Sequence, residues 1–438
     1  MRASRLARRV LTSFHARIGL NRGVASEVTA LGAATLASQM LAAVAVLVLT
    51  RLYSPQAFGV YAAAIAVTAI VVVAGCLRYE QAIPIAESPL QAAELIVLSL
   101  ALGVAILLLA AGVLLTFEPL VARLAGLASV GPYVGLILLA ATGALVSSVL
   151  GAWAIRTRAF SELARTRLSQ AVGLVLTQAL FGLAGAGAGG LLLGDALGRG
   201  AGTTRLARRL WRDEGAVLRE VRASSLLDVA NRYRRFPIFS GPSALLDVVN
   251  QQLPTLTLVA MFGSTVGGLF LLANRVGSLP NGLTMAAVAP VFVAQSARVS
   301  TDPEALMRLL ERTMRRLLVI GVGPATVLVV AGPWLFPLAF GQAWAEAGVI
   351  AALFAPMFLA QLVTAPLSGV LSVIERQDLH LAKELSNFLL VVLVVFLASS
   401  GRWTLVPTTA ALSAVGTLGA IGYFAAMRFA VSRVRVGQ

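Results

Sequence analysis

An all-α integral membrane protein of about twelve transmembrane helices, arranged as two sets of six, is predicted by three observations. The 438 residues are 58% hydrophobic, with a mean hydropathy of +0.87, yet the formal net charge is +16. Apolar stretches of about 20 residues recur along the chain, each long enough to cross about 30 Å of hydrocarbon. Nearly every basic residue falls in every second gap between those stretches. A soluble protein this apolar has too little polar surface to cover itself. A nucleic-acid binder does not space its charge in short clusters between apolar runs, so no nucleic-acid partner is expected.

The pattern predicts spans over 29–50, 57–76, 93–116, 132–155, 168–185, 187–204, 238–261, 265–297, 317–339, 346–373, 384–400 and 404–427. Residues 1–28 precede them. There Leu6, Val10, Leu11, Phe14 and Ile18 share one helical face, with Arg5, Arg8, Arg9 and Arg17 among them. That pattern fits a basic amphipathic helix on an anionic membrane surface, or a basic tail that only fixes topology. Arg8-Arg9 is not followed by the apolar run and cleavage site of an export signal, so no signal peptide is expected. The fifth and sixth spans are interrupted by the glycine-rich run at Gly185–Gly190, and the sixth carries Asp195 and Arg199. Pro280, Pro290, Pro356 and Pro366 predict kinks or tilt in the eighth and tenth. The longest basic gap, 205–237, separates an N-terminal lobe of residues 29–204 from a C-terminal lobe of residues 238–427; a tail, 428–438, follows.

Charge placement orients this map. Of 35 Lys and Arg residues, 31 lie in one alternating set of gaps; the other set holds only Arg51, Arg123 and Arg402. Because short loops rich in Lys and Arg stay cytoplasmic, both termini are expected in the cytoplasm of a bacterial inner membrane. The two halves echo each other weakly. Ser38-Gln39-Met40-Leu41 leads to Phe58-Gly59-Val60-Tyr61, and Asn250-Gln251-Gln252-Leu253 leads to Gly268-Leu269-Phe270. An even number of spans per half implies parallel repeats about an axis normal to the membrane.

Arg275 stands about ten residues inside the eighth span, near mid-membrane. A mid-membrane arginine costs about 2.5–3.5 kcal/mol on insertion scales, so it is expected to face a wet cavity or a partner. Asn274, Ser278 and Asn281 continue a polar stripe beside it. Asp247, with Asn250 and Gln251 at i+3 and i+4, is its expected carboxylate partner, a cation site or a proton carrier. Gln39 and Gln361 are mid-depth polar groups suited to substrate contact or to helix–helix hydrogen bonding. Asp195 and Arg199 stand i, i+4, as an intrahelical pair or at the interface. Arg51, Tyr53 and Tyr61 flank the first outer loop, where interfacial anchoring accounts for them. The single Cys76 reads as a small hydrophobe, and His15 and His380 lie too far apart to make a metal site. No phosphate-cradling glycine loop or nucleophile elbow occurs, so neither a cofactor nor enzymatic chemistry is expected.

Several stretches resemble polysaccharide exporters of the Wzx type, in the multidrug/oligosaccharidyl-lipid/polysaccharide (MOP) exporter superfamily. Ser38-Gln39 followed by Thr50-Arg51-Leu52-Tyr53-Ser54-Pro55-Gln56-Ala57-Phe58-Gly59-Val60-Tyr61 is similar to the family's opening pattern. Leu77-Arg78-Tyr79-Glu80-Gln81-Ala82-Ile83 is similar to a stretch after the second span in one branch, and Pro290-Val291-Phe292 running to Gln295-Ser296-Ala297-Arg298 ends the eighth span as in the family. The resemblance implies two six-helix bundles in a V around a cavity that opens to alternate sides. It implies translocation of an undecaprenyl-diphosphate-linked oligosaccharide, with membrane lipids, a polysaccharide polymerase and other assembly proteins as partners. Arg275 then meets the diphosphate, while Arg78 and Glu80 form a gate or a structural pair.

A cation-coupled drug antiporter of the same superfamily is the alternative, and Arg275 argues against it by favouring an anionic cargo. A peptidoglycan-precursor flippase often has extra spans. A membrane glycosyltransferase or polymerase needs a sizeable outer loop for its chemistry, and the outer loops here are short. A non-transporting scaffold of a polysaccharide machine is the last reading.

Overall fold

The computed structural model describes residues 22–124 and 129–433, and among them the regular structure is helical throughout. The amphipathic segment expected near Leu6–Ile18 lies outside the described residues. Three helix starts follow one local rule, a short polar N-cap followed by proline, which needs no N–H in the first turn. Ser54 accepts from the Ala57 amide ahead of the helix Pro55–Gly75, Ser88 from Gln91 ahead of Pro89–Thr116, and Asp302 from Ala305 ahead of Pro303–Phe340.

The first bundle comprises α1 (Arg22–Leu52), α2 (Pro55–Gly75), α3 (Pro89–Thr116), a short α4 (Glu118–Leu124), α5 (Gly131–Arg156), α6 (Phe160–Leu183) and α7 (Gly187–Gly200). Within it α1 packs on α6, α6 on α7, and α5 on both α7 and α3. After α8 (Thr203–Glu220) and α9 (Ala223–Arg232), the second bundle runs through α10 (Gly241–Phe262), α11 (Ser264–Gly277), α12 (Leu279–Ala287), α13 (Ala289–Arg298), α14 (Pro303–Phe340), α15 (Ala345–Thr364), α16 (Gly369–Val373), α17 (Asp378–Ser400) and α18 (Leu405–Ser432). Here α14 packs on α15, α15 on α18, α17 on α18 and α10 on α17.

Several boundaries differ from the sequence reading, each for a physical reason. The 205–237 stretch is not a plain loop, because most of it forms α8 and α9. In α8, Leu206 and Leu210 are buried while Arg208 and Trp211 on the opposite face are exposed, so the helix binds the bundle by its apolar side. The eighth span is three helices, broken at Ser278 and Val288 just before Pro280 and Pro290, whose missing N–H groups cannot continue the ladder. The tenth breaks at Pro366 but runs unbroken through Pro356. Helix α14 is 38 residues, about 57 Å at 1.5 Å per residue, so the basic stretch before the ninth span is helical too. By contrast α7 has only 14 residues, about 21 Å. By length and apolarity nine of the described helical segments qualify as membrane spans; α6, α7 and α10 do not, being shorter or more polar.

The apolar core shows how the bundles meet. One buried cluster, at the arginine-poor ends of the helices, mixes both halves: Phe58, Tyr61 and Leu49 with Phe270, Trp344 and Phe354. At the arginine-rich ends there are two separate clusters. One holds Trp153, Ile83 and Leu95 of the first bundle; the other holds Phe292, Leu310 and Met427 of the second. The bundles are therefore fused at one end and apart at the other, a V whose mouth faces the arginine-rich side. Large apolar side chains such as Val319, Trp334 and Leu338 stay exposed around the outside, where lipid covers them.

The fused end is a seam of backbone on backbone. A Cβ on Gly59 would lie 1.6 Å from the Ser264 carbonyl oxygen, and one on Gly268 would lie 1.8 Å from that of Pro55. The two contacts are reciprocal, since a single shift of 209 positions turns Pro55 into Ser264 and Gly59 into Gly268. That symmetry, with α2 and α11 crossing at its axis, is the geometry of two parallel repeats. Other bonds close the same seam. Phe58 and Trp344 stack edge to face at 4.9 Å, and the Trp344 indole donates to the Thr50 carbonyl.

Candidate functional site

Helix α11 carries Arg275 two residues before its end, at the bottom of the V. The side chain is half-buried and makes no ion pair among the described residues. It lies over the Tyr61 ring of the opposite bundle, 5.6 Å from guanidinium carbon to ring centre, a contact worth about 0.5–2 kcal/mol. Tyr61, expected at the membrane interface, is instead buried at 1% exposure, because α2 crosses α11 there and turns this ring inward. Its hydroxyl donates to Asp195 Oδ1 at 3.3 Å and accepts from Gln178 Nε2 at 3.1 Å. Asp195 Oδ2 in turn accepts from Arg199 Nε at 2.7 Å, the intrahelical pair its spacing allows. One continuous chain of contacts thus joins Arg275 of the second bundle to Arg199 of the first.

The expected pairing of Arg275 with Asp247 does not occur. Helix α10 turns the face bearing Asp247 and Asn250 toward α17 and α18, inside the second bundle. Asn250 Nδ2 donates to Glu384 Oε2 at 2.7 Å, and Asp247 lies close enough to Tyr423 to act on it electrostatically. Glu384 also accepts from Lys383, whose ammonium sits over the Tyr423 ring, and His380 Nδ1 is 3.0 Å from the Tyr423 hydroxyl. Gln251 points away, exposed.

Other expected residues do gather between the bundles. Asn274 and Ser278 are half-buried on the α11 stripe. Asn281, one turn on, meets Gln361 of α15 at 3.5 Å, and Gln39 of α1 lies against Gly282 from across the cleft. The Asn281 Oδ1 atom is buried without a partner. Arg51 lies elsewhere, at the seam, where it donates to the Leu338 and Ala339 carbonyls at 3.4 and 3.2 Å. A cation on the last carbonyls of α14 is favourable there and ties the two bundles together.

At the arginine-rich end of the first bundle is a cavity of about 670 Å³, walled by α5, α6, Arg199 of α7 and the turn after α2. In that turn Leu77 and Arg78 are both left-handed, with φ of 46° and 66°. Such backbone costs about 1–3 kcal/mol per residue and persists only where the surroundings impose it. Here it swings Arg78 over the cavity, 3.8 Å from Glu80 Oε1. Burial pushes the Glu80 carboxyl above the ordinary carboxylate range, against the pull of its backbone hydrogen bond and of Arg78. Sequence reasoning named Arg78 and Glu80 from a motif but missed Arg167, Gln170 and Ser147, which complete the wall. Arg167 and Gln170 share α6 at i, i+3, but Ser147 comes from α5 and Arg78 from the turn after α2, so linear spacing gave no signal of the cluster.

Together these features define a membrane transporter fold, with two six-helix bundles and polar groups in the cleft between them. Residues 48–349 match the family model described as polysaccharide biosynthesis protein, so the chain belongs to that family. Its fold is shared with a multidrug resistance MATE family transporter of the MOP superfamily in an inward-facing conformation (TM-score 0.68, 15% identity, covering 90% of this chain and 95% of the other). It is shared also with the lipid II flippase MurJ in an inward closed conformation (TM-score 0.67, 11% identity, 90% and 86%). A MOP superfamily transporter from Pyrococcus furiosus aligns with a TM-score of 0.60 at 15% identity, over 93% and 96%. A sequence search of curated proteins gives no match.

Proposed function

We propose that this protein flips a polyprenyl-diphosphate-linked oligosaccharide across a bacterial inner membrane by alternating access. The observation that carries this reading is Arg275: a guanidinium at the base of the V, between the bundles, with no carboxylate paired to it among the described residues. A sugar-diphosphate cannot enter about 30 Å of hydrocarbon without replacing its hydration. Arg275 and the amides of Asn274, Asn281, Gln39 and Gln361 supply that replacement, while the lipid tail stays in the bilayer. The membrane potential adds about 2.3 kcal/mol per charge per 100 mV. Membership of a polysaccharide biosynthesis family supports the sugar cargo, and a polymerase and other assembly proteins are its natural partners.

The test is a flipping assay in vesicles, using a short-chain polyprenyl-diphosphate disaccharide carrying a quenchable fluorophore. The protein is expected to speed its transfer at least about tenfold over protein-free vesicles. If transfer is not accelerated but efflux of a cationic dye is, the flippase reading fails and the antiporter takes its place.

Orientation has its own test. Ser224 is exposed on α9. In a Cys76→Ala background, Ser224→Cys is expected to resist a membrane-impermeant maleimide in intact cells and to react in inverted vesicles. Labelling of intact cells would place the arginine-rich end, and both termini, outside.

A further inference from the structure

The cavity in the first bundle is lined by that bundle alone, without Arg275, and its chemistry is that of an anion site. Three arginines reach it, from three parts of the chain: Arg78 from the strained turn, Arg167 from α6 and Arg199 from α7. Their donors are largely unspent. Arg167 donates only to the Thr35 hydroxyl, at 2.9 Å. Arg199, which lines the cavity, gives its Nε to Asp195 and has no hydrogen bond on its two terminal nitrogens among the described residues. Arg78 stands 3.8 Å from Glu80 without a hydrogen bond, and its Nε is buried and unpartnered. The wall holds two further orphans, Glu80 Oε2 and Thr166 Oγ1, on residues only 8% and 2% exposed. Buried polar groups of a native fold are normally satisfied, so several orphans around one opening mark a place that a polar ligand fills. Three guanidinium groups meet two carboxylates, Glu80 on the wall and Asp195 paired with Arg199, so the site keeps a net positive charge and that ligand is anionic.

We propose that this cavity is a phosphate-binding subsite, taking a phosphate or diphosphate headgroup at the membrane surface before it reaches Arg275. The role as a loading station rests on the flippase reading above; the anion site itself does not. Arginine forks grip phosphate oxygens in bidentate fashion, and about 670 Å³ holds a diphosphate with its first sugar. Ser147 Oγ, which accepts from Gln170 Nε2 at 2.9 Å, keeps its own O–H for that sugar, and Gln170 keeps its Oε1 as an acceptor. Arg199 belongs both to the cavity and to the Asp195–Tyr61–Arg275 chain, so the two stations share a wall.

The full-length protein in phosphatidylcholine nanodiscs, titrated calorimetrically with farnesyl diphosphate, tests this. Arg78→Ala combined with Arg167→Ala is expected to raise Kd at least about tenfold. Arg167→Gln alone, an exposed change that loses one hydroxyl contact, is expected to raise it about threefold and serves if the double variant does not fold. Arg308→Ala, on the far surface in a pair with Glu304, is expected to leave Kd unchanged. A folded Arg167→Gln or double variant with wild-type Kd overturns the proposal. Displacement by phosphatidylglycerol, lost in the double variant, supports a site occupied by bilayer headgroups; displacement by inorganic diphosphate alone supports one for the cargo. Because binding is read without transport, pocket variants that lose farnesyl diphosphate in a protein that flips nothing would keep the site and sink only the flippase.

Discussion

Arg275→Ala is expected to cut flipping of the lipid-linked oligosaccharide by about a hundredfold while leaving the protein as stable as the wild type, or more so. The two effects have opposite signs, and that makes the prediction sharp. Leaving an anionic group without its charged donor costs about 2–4 kcal/mol in passage, enough for the rate loss. The folded protein, in contrast, gives up only a cation–π contact of about 0.5–2 kcal/mol on Tyr61 and is relieved of a mid-membrane charge costing about 2.5–3.5 kcal/mol. Thermal melting in detergent and surface polysaccharide in cells, measured on the same variant, check both halves. A protein that melts several degrees lower and transports normally would make Arg275 a structural residue and remove the main support for an anionic cargo.

Gly268→Val is expected to unlock the seam and stop transport. A side chain there meets the Pro55 carbonyl at 1.8 Å, and backbone of two packed helices cannot move aside as a flexible side chain does. Overpacking commonly costs about 1–3 kcal/mol, and more where the obstacle is backbone. All of that cost falls on the state in which α2 and α11 touch. A difference of about 3 kcal/mol moves a two-state population by about 150-fold, toward conformations open at the arginine-poor end. Impermeant labelling of a cysteine placed at Thr50, buried in the seam where its carbonyl meets Trp344, is expected to rise sharply in the Gly268→Val background. Gly112→Ala, where the new methyl meets open space on α3, is the control and is expected to change neither transport nor labelling. Unchanged labelling with Gly268→Val would show that the seam does not open in transport.

Much of the architecture was readable from the sequence because lipid imposes simple rules on it. Apolar length and alternating arginines found the spans, and Pro280, Pro290 and Pro366 found the breaks. The faint likeness between Gly59 and Gly268 proved to be the pseudo-symmetric crossing itself. What failed did so where neighbours override local pattern. Tyr61 resembles an interfacial aromatic until α11 is packed against it, and Asp247 resembles a partner for Arg275 until α10 turns it toward Tyr423. Length and hydropathy also penalised α6, α7 and α10, the first two of which wall the cavity of the first bundle. Arg167 and Gln170, three apart on α6, were missed because the convergence of α6 with α5 and with the turn after α2 leaves no trace in linear spacing.

Short helix α7 has an electrical consequence. Its 14 residues end at the cavity, about 21 Å from the other side, so water and guanidinium groups reach inward where a full-length helix would hold hydrocarbon. An aqueous vestibule carries almost no voltage drop. The transmembrane field is therefore compressed into the remaining thickness and is steepest around Tyr61 and Arg275. On the proposed flippase reading, a headgroup resting in the vestibule would still sit near the potential of the compartment it came from and would perform nearly all its electrical work in the single step past that tyrosine.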